Sequence, residues 1–204
     1  MLSSLFGAGR ATATVPIFPL NTVLFPGALL PLKIFEVRYI DMARACLREG
    51  KPFGVCLIRE GSEVGTPAVP FDVGCLARIV ECDVEELGVI RVRIEGTERF
   101  RLLSTEVNRQ GLIVGETEPL VTEAAVADTQ GLAECAHFLR KVIPAIGAER
   151  FGSPLRYEDG SWVGFRLAEI LPLRNDVRQK LLEVTDAALR VGVLHRFLRE
   201  QKLL

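Results

Sequence analysis

The chain has 204 residues, 49% of them apolar and 25% charged, with a formal net charge of −1. This length and composition suit one large or two small globular domains with a real hydrophobic core. The balanced charge removes the simplest case for a nucleic-acid or anionic-membrane partner, because phosphate binding needs a surplus of Lys and Arg.

Residues 1–12, MLSSLFGAGRAT, are small and polar and predict a loose N-terminal arm. From Ala11 to Leu32 there is no charged residue, which raises the question of a membrane span or secretion signal. Pro16, Pro19, Pro26 and Pro31 interrupt that stretch. Each internal proline would cost a membrane helix about 3 kcal/mol or more, so the stretch is not a span. With Arg10 as the one basic residue upstream, it does not form a signal peptide either.

VPIFPL instead predicts a strand whose prolines suit an edge or an end. Phe25-Pro26-Gly27-Ala28 predicts a type II turn that sets the register with a second strand, ALLPLKIF. Phe18, Phe25, Leu30 and Phe35 are the core candidates here. Residues 36–50 switch to helical spacing, with Val37, Ile40, Ala43 and Leu47 on the buried face, Tyr39, Met42 and Cys46 widening it, and Gly50 as the C-cap. Arg38, Asp41, Arg44 and Arg48 fall mostly outside that face.

FGVCLIRE (53–60) reads as a strand buried on both faces, followed by a loop. CLARIVECDVE (75–85) alternates with Leu76, Val80, Cys82 and Val84 on one face, and VIRVRIEG answers with Ile90, Val92 and Ile94 inward, which predicts a hairpin. TERFRLLS and GLIVGETEP add two more strands. Six or seven mostly antiparallel strands with one early helix are enough to close a small barrel.

After Pro119 the pattern becomes helical. Residues 122–147 predict one long helix, or two meeting near Gly131, with Leu132, Cys135, Ala136, Leu139, Val142 and Ile143 on one stripe. A loop over 147–160 precedes a short helix capped by Ser161 and ended before Pro172. One or two helices, starting at Asn175 or Asp176, complete the chain. The expected organisation is an arm over 1–12, a β-rich domain over 13–120 and an α-helical domain over 121–204.

A search for chemistry returns little. No GxxxxGK[ST] or GxGxxG loop occurs, so no nucleotide cofactor is expected, and no CxxC, HxxxH or HExxH offers a metal site. His137 and His195 sit on helices beside apolar residues and read as surface or boundary histidines. None of the serines has a GxSxG context. The paired carboxylates Glu85–Glu86 and Glu158–Asp159 read as solvated turn residues. Five widely spaced cysteines predict free, buried thiols in a reducing, cytoplasmic compartment. Arg91, Arg93, Arg99 and Arg101 share a predicted sheet face with Glu95 and Glu98, which reads as a salt-bridged solvent face in preference to an RNA platform. Arg190, Arg196, Arg199 and Lys202 read as complements to the C-terminal dipole of the last helix.

The string Phe18-Pro19-Leu20, Val23-Leu24-Phe25-Pro26-Gly27, Leu30-Pro31-Leu32, Ile34-Phe35-Glu36, Arg38-Tyr39 and Met42 resembles the opening of the Lon protease N-terminal, substrate-binding domain family. FGV at 53–55, VGCLARI at 73–79, GTERFRL at 96–102 and LPLRNDVRQKLLEVTD at 171–186 extend the resemblance to about residues 14–200. It implies an α+β fold: a PUA-like, mostly antiparallel β-barrel with an early inserted helix, followed by a C-terminal α-helical bundle. With Leu204 as the last residue, the ATPase and Ser–Lys peptidase modules of the full protease are not expected. The chain is then similar to stand-alone bacterial Lon-domain proteins.

The expected function is therefore non-catalytic binding of exposed apolar or misfolded polypeptide, in an adaptor or quality-control role, with no cofactor. A cleft between barrel and bundle is the expected location. Arg38 and Tyr39 read either as structural residues or as the lining of a peptide groove, and Trp162, the sole tryptophan, joins them as a candidate contact. RNA binding by the barrel and an unrecognised small-molecule enzyme are the alternatives. A self-complementary apolar patch would equally mark a homo-oligomer.

Overall fold

The computed structural model describes residues 12–86, 88–121 and 131–204, and for 84–87 no side chains. The expected arm, apart from Thr12, and the first part of the predicted 122–147 helix lie outside the described residues.

Seven strands form the first half: β1 (Ala13–Leu20), β2 (Leu29–Ile34), β3 (Phe53–Glu60), β4 (Val69–Pro70), β5 (Val73–Glu86), β6 (Val89–Val107) and β7 (Ile113–Pro119). Helix α1 (Val37–Glu49) lies between β2 and β3. The order β1-β7-β6-β5-β3, with β1 parallel to β3, closes a five-stranded barrel. Every other ladder is antiparallel, and β2 lies outside the ring along β6.

The barrel interior holds a small cluster of Val15, Ile17, Cys56, Phe100, Leu102 and Ile113, one or two from each of four strands. Glycines supply the room for it. A Cβ on Gly54 would stand 2.7 Å from both Ile17 and Phe100, and one on Gly74 would stand 2.6 Å from Phe100. These glycines are present because the bore admits a single large ring, not because the strand turns there.

The Pro26–Gly27 turn has the expected geometry, with Gly27 at φ +72° and Ala28 N–H donating to the Phe25 carbonyl at 3.0 Å. It does not join paired strands, however. β1 ladders with β7 and β3, while β2 ladders with β6, so the turn redirects the chain instead of setting a hairpin register. Nor is β1 an edge strand. Residues 13–16 pair only with β7 and residues 18–20 only with β3, while Ile17 pairs with both. Pro16 and Pro19 therefore each sit in a half-strand paired on one side, where a missing N–H is tolerated.

The β5–β6 hairpin is present, but the faces of β5 differ from the predicted alternation. Val73, Cys75 and Ala77 are buried, whereas Val80 and Cys82 are exposed. Residues 75–77 ladder with β3 as well as β6, whereas Cys82, opposite buried Val92, lies where β5 pairs with β6 alone and stays in water. Bulges at Cys75/Ala77 and Ile79/Glu81 also shift the register between β5 and β6. The first of these bulges turns Arg99. Ala77 pairs with Gly96 and Cys75 with Arg99, so β6 carries an extra residue there and Arg99 faces inward. Arg93 stays on the solvent side, paired with Glu81.

Helix α1 rotates from its predicted phase. Tyr39, Ile40, Met42, Ala43 and Cys46 are buried, while Val37 is 71% exposed and Leu47 45%. Phe35, expected in the core, is 51% exposed. Arg38 is buried and donates to the Gly65 and Gly111 carbonyls at 2.8 and 2.9 Å and to Glu36 at 2.8 Å. A guanidinium that fastens two loops to the helix start outweighs the preference for an apolar residue at that position.

The second half comprises α2 (Leu132–Ile146), a 3-10 turn (Ala148–Phe151), α3 (Gly160–Ile170), α4 (Asn175–Glu183) and α5 (Ala187–Glu200). Asp159, not Ser161, caps α3; its carboxylate accepts from the Ser161 and Trp162 amides. One hydrophobic cluster runs from the outer barrel face (Phe53, Val55, Cys75) through α1 into the bundle (Leu139, Val163, Leu194). Among the described residues no helix is long and apolar enough to cross a membrane.

Candidate functional site

The barrel and the bundle are joined by buried polar contacts. Arg166 of α3, with no exposed surface, donates to the Gly27 carbonyl at 2.6 Å and the Pro26 carbonyl at 2.9 Å. Its Nε lies 3.1 Å from Glu169. Burial pushes the Arg166 guanidinium down and the Glu169 carboxyl up, each opposed by the charge of the other. Arg99 of β6 donates to the Leu182 and Val184 carbonyls at 2.7 Å, and Arg190 of α5 to Leu181 at 3.0 Å and to Val184. Both guanidiniums thus serve the open carbonyls at the end of α4, where cations are favoured. Their Cζ atoms stand 5.6 and 3.9 Å from the Phe165 ring centroid. Gln179 adds a contact from α4 to the Val73 carbonyl at 3.0 Å.

Above these contacts an open cleft of about 590 Å³ separates the two halves. One wall is barrel: the Pro26–Gly27 turn, the bulged segment Gly96–Arg99 and the chain leaving β7 at Leu120 and Val121. The other is the start of α3, with Trp162 and Phe165, and the 151–156 loop. Trp162 is half-buried; its ring meets Tyr157 edge-on at 5.4 Å, and Arg140 lies over Tyr157 at 4.7 Å. The cleft opens where β6 passes from β2, which ends opposite Glu95, to β7, which begins opposite Phe100.

Of the sequence candidates, Trp162 lines this cleft and Arg38 and Tyr39 do not. Tyr39 is buried and stacks on Phe18 at 4.1 Å, with the Arg38 guanidinium 4.7 Å from its ring. Burial raises the Tyr39 phenol, so it stays protonated. Both residues anchor α1 to the barrel: Tyr39 through β1, Arg38 through the loops at Gly65 and Gly111.

Sequence reasoning missed Arg99, Arg166 and Arg190, the buried residues beneath the cleft. Arg99 was expected on the solvent face and Arg190 at the helix C-terminus; the β6 bulge and the α4–α5 junction place them inside instead. Arg166 did carry a signal: it is the one charge in WVGFRLA, a run apolar on every helical face.

The remaining chemical groups lie elsewhere. Four cysteines are buried and Cys82 is exposed, which corrects the expectation for that residue. Burial raises Cys75 and Cys135 to about 12 and Cys56 further. His195 pairs with Glu134 at 2.9 Å and His137 is exposed. Among the described residues no three metal-ligating side chains converge.

Fold and cleft together define a class: a closed β-barrel carrying a helical bundle, with a groove where they meet. Within that class, the sequence profile of the ATP-dependent protease La (LON) substrate-binding domain matches residues 14–200, and the chain belongs to that family. It is 25% identical over 203 residues to Lon protease 1 of Syntrophobacter fumaroxidans, covering 95% of this chain and 24% of that one. Against the Lon protease of Haemophilus influenzae the identity is 25% over 197 residues, covering 92% and 24%. The chain therefore spans about a quarter of the length of these proteases. Its fold matches the crystal structure of the Lon N-terminal domain protein from Xanthomonas campestris at a TM-score of 0.75 and 36% identity, over 89% of this chain and 96% of that one. The N terminal domain of Mycobacterium avium complex Lon protease matches at 0.67 and 20% identity, over 89% and 96%, a likeness of fold.

Proposed function

We propose that this chain is a non-catalytic polypeptide-binding module. It takes exposed apolar segments of misfolded or partner proteins into the cleft between barrel and bundle, as an adaptor or quality-control factor in the cytoplasm. The observation that carries the reading is the cleft itself. It is open, its volume falls within the roughly 300–1,000 Å³ range of binding sites, and an accessible indole stands on its wall. Membership of a substrate-binding domain family supports the same reading. The cleft width rests on Arg166, which ties the Pro26–Gly27 turn to α3, so the groove exists before a segment enters it.

Trp162 is the sole tryptophan and reports on its own site. Titration with a reduced, unfolded model polypeptide free of tryptophan is expected to change Trp162 emission. It should also slow amide exchange in residues 95–99 and 159–165. Trp162→Ala should weaken binding about tenfold or more, as loss of an aromatic anchor does. Unchanged emission, with no new exchange protection anywhere on the protein, would refute the reading.

A further inference from the structure

The charges around the cleft do not form a uniform field, and most are already engaged. Arg78 is paired with Glu95 across the β5–β6 ladder. Asp159 is held at the first amides of α3. Two others lining the same space are exposed and have no ion pair with any described residue: Glu98 on the barrel wall and Arg156 on the loop wall. Trp162 lines the cleft with them.

From this arrangement we infer that the cleft is selective for dipolar segments. The preferred ligand is an extended polypeptide with an apolar residue against Trp162, flanked by a basic side chain that reaches Glu98 and an acidic one that reaches Arg156. The inference deepens the reading above and rests on it. A purely apolar segment satisfies Trp162 and leaves both wall charges without a partner. A segment with two basic flanks satisfies Glu98 and repels Arg156, and one with two acidic flanks does the reverse. Complementary charges on opposite walls also fix which way the segment lies, which apolar contact alone cannot do.

The test uses the full chain and dye-labelled extended peptides with one central apolar pair. The flanks are basic/acidic in both orders, basic/basic, acidic/acidic or neutral. At about 50 mM salt one of the two dipolar orders is expected to bind about threefold or more tighter than the rest, and the preference should shrink at about 500 mM as charges are screened. Glu98→Lys should move the preference to acidic/acidic peptides and Arg156→Glu to basic/basic peptides. The double reversal Glu98→Lys with Arg156→Glu should restore a dipolar preference in the opposite order. Equal binding of all peptides, unmoved by either reversal but lost in Trp162→Ala, would overturn the charge inference and leave the binding reading standing. If no peptide binds at all, both fail together.

Discussion

At the scale of single residues, environment decides what each chemical group can do. The thiols of Cys46, Cys56, Cys75 and Cys135 are buried and their pKa values raised, so little thiolate is present near neutral pH. In the native protein a thiol reagent at about pH 8 is expected to label one cysteine, Cys82, and all five only after denaturation; mass mapping of a second rapidly labelled site would contradict this. Glu169 provides a pH test. Its carboxyl is raised above 4.5 chiefly by burial, so the folded state holds the proton more tightly than the unfolded state. The stability this group contributes is greatest below the unfolded value and declines as pH rises through the folded one. Glu169→Gln removes that dependence, so urea titrations should show the variant gaining on the parent between about pH 4 and pH 8. A difference that stays level, or moves against the variant, would show that the carboxyl is not raised. The composition of the chain indicated free thiols correctly. Exposure of Cys82 was not legible, because it depends on which strand lies at the margin of the sheet.

At the scale of elements, the barrel bore is the tightest constraint. Gly54→Ala would drive a Cβ into Ile17 and Phe100 and should cost about 1–3 kcal/mol as overpacking. Phe100→Leu alone opens space at the same point, so the double variant Gly54→Ala with Phe100→Leu should be more stable than the sum of the two single effects predicts. Simple additivity in chemical denaturation would mean that the two positions do not share the bore. Helices and most strands were readable because their periodicities and turn residues are local. The turn at Pro26–Gly27 and the cap at Gly50 were legible from residue type alone, since only glycine adopts those conformations readily. The faces of β5 and the inward turn of Arg99 were not. Burial along β5 depends on which part of it a second strand covers, and at Arg99 one extra residue in β6 inverts the alternation that the sequence displays.

At the scale of the whole molecule, barrel and bundle share one hydrophobic cluster, and their contacts include arginines that lack a separate solvated home. The division into 13–120 and 121–204 is therefore expected to be one of topology and not of folding. Unfolding followed by Trp162 fluorescence, which reports on the bundle, should coincide with the loss of strand signal by circular dichroism. Two separated transitions would show that each half folds alone.

The amino-acid sequence by itself determined the element types, the barrel-then-bundle order, the family resemblance and the presence of a lone tryptophan, because these depend on propensity, spacing and residue identity along one chain. Only the tertiary structure decided that β1 is interior, that β2 pairs with β6, that Arg38 and Tyr39 anchor α1 to the barrel, and that Trp162, Glu98 and Arg156 line one cleft. Those outcomes follow from burial and desolvation between segments far apart in the chain. A guanidinium that finds several carbonyls is held inside however polar it looks in one dimension, and a valine without a partner surface stays in water.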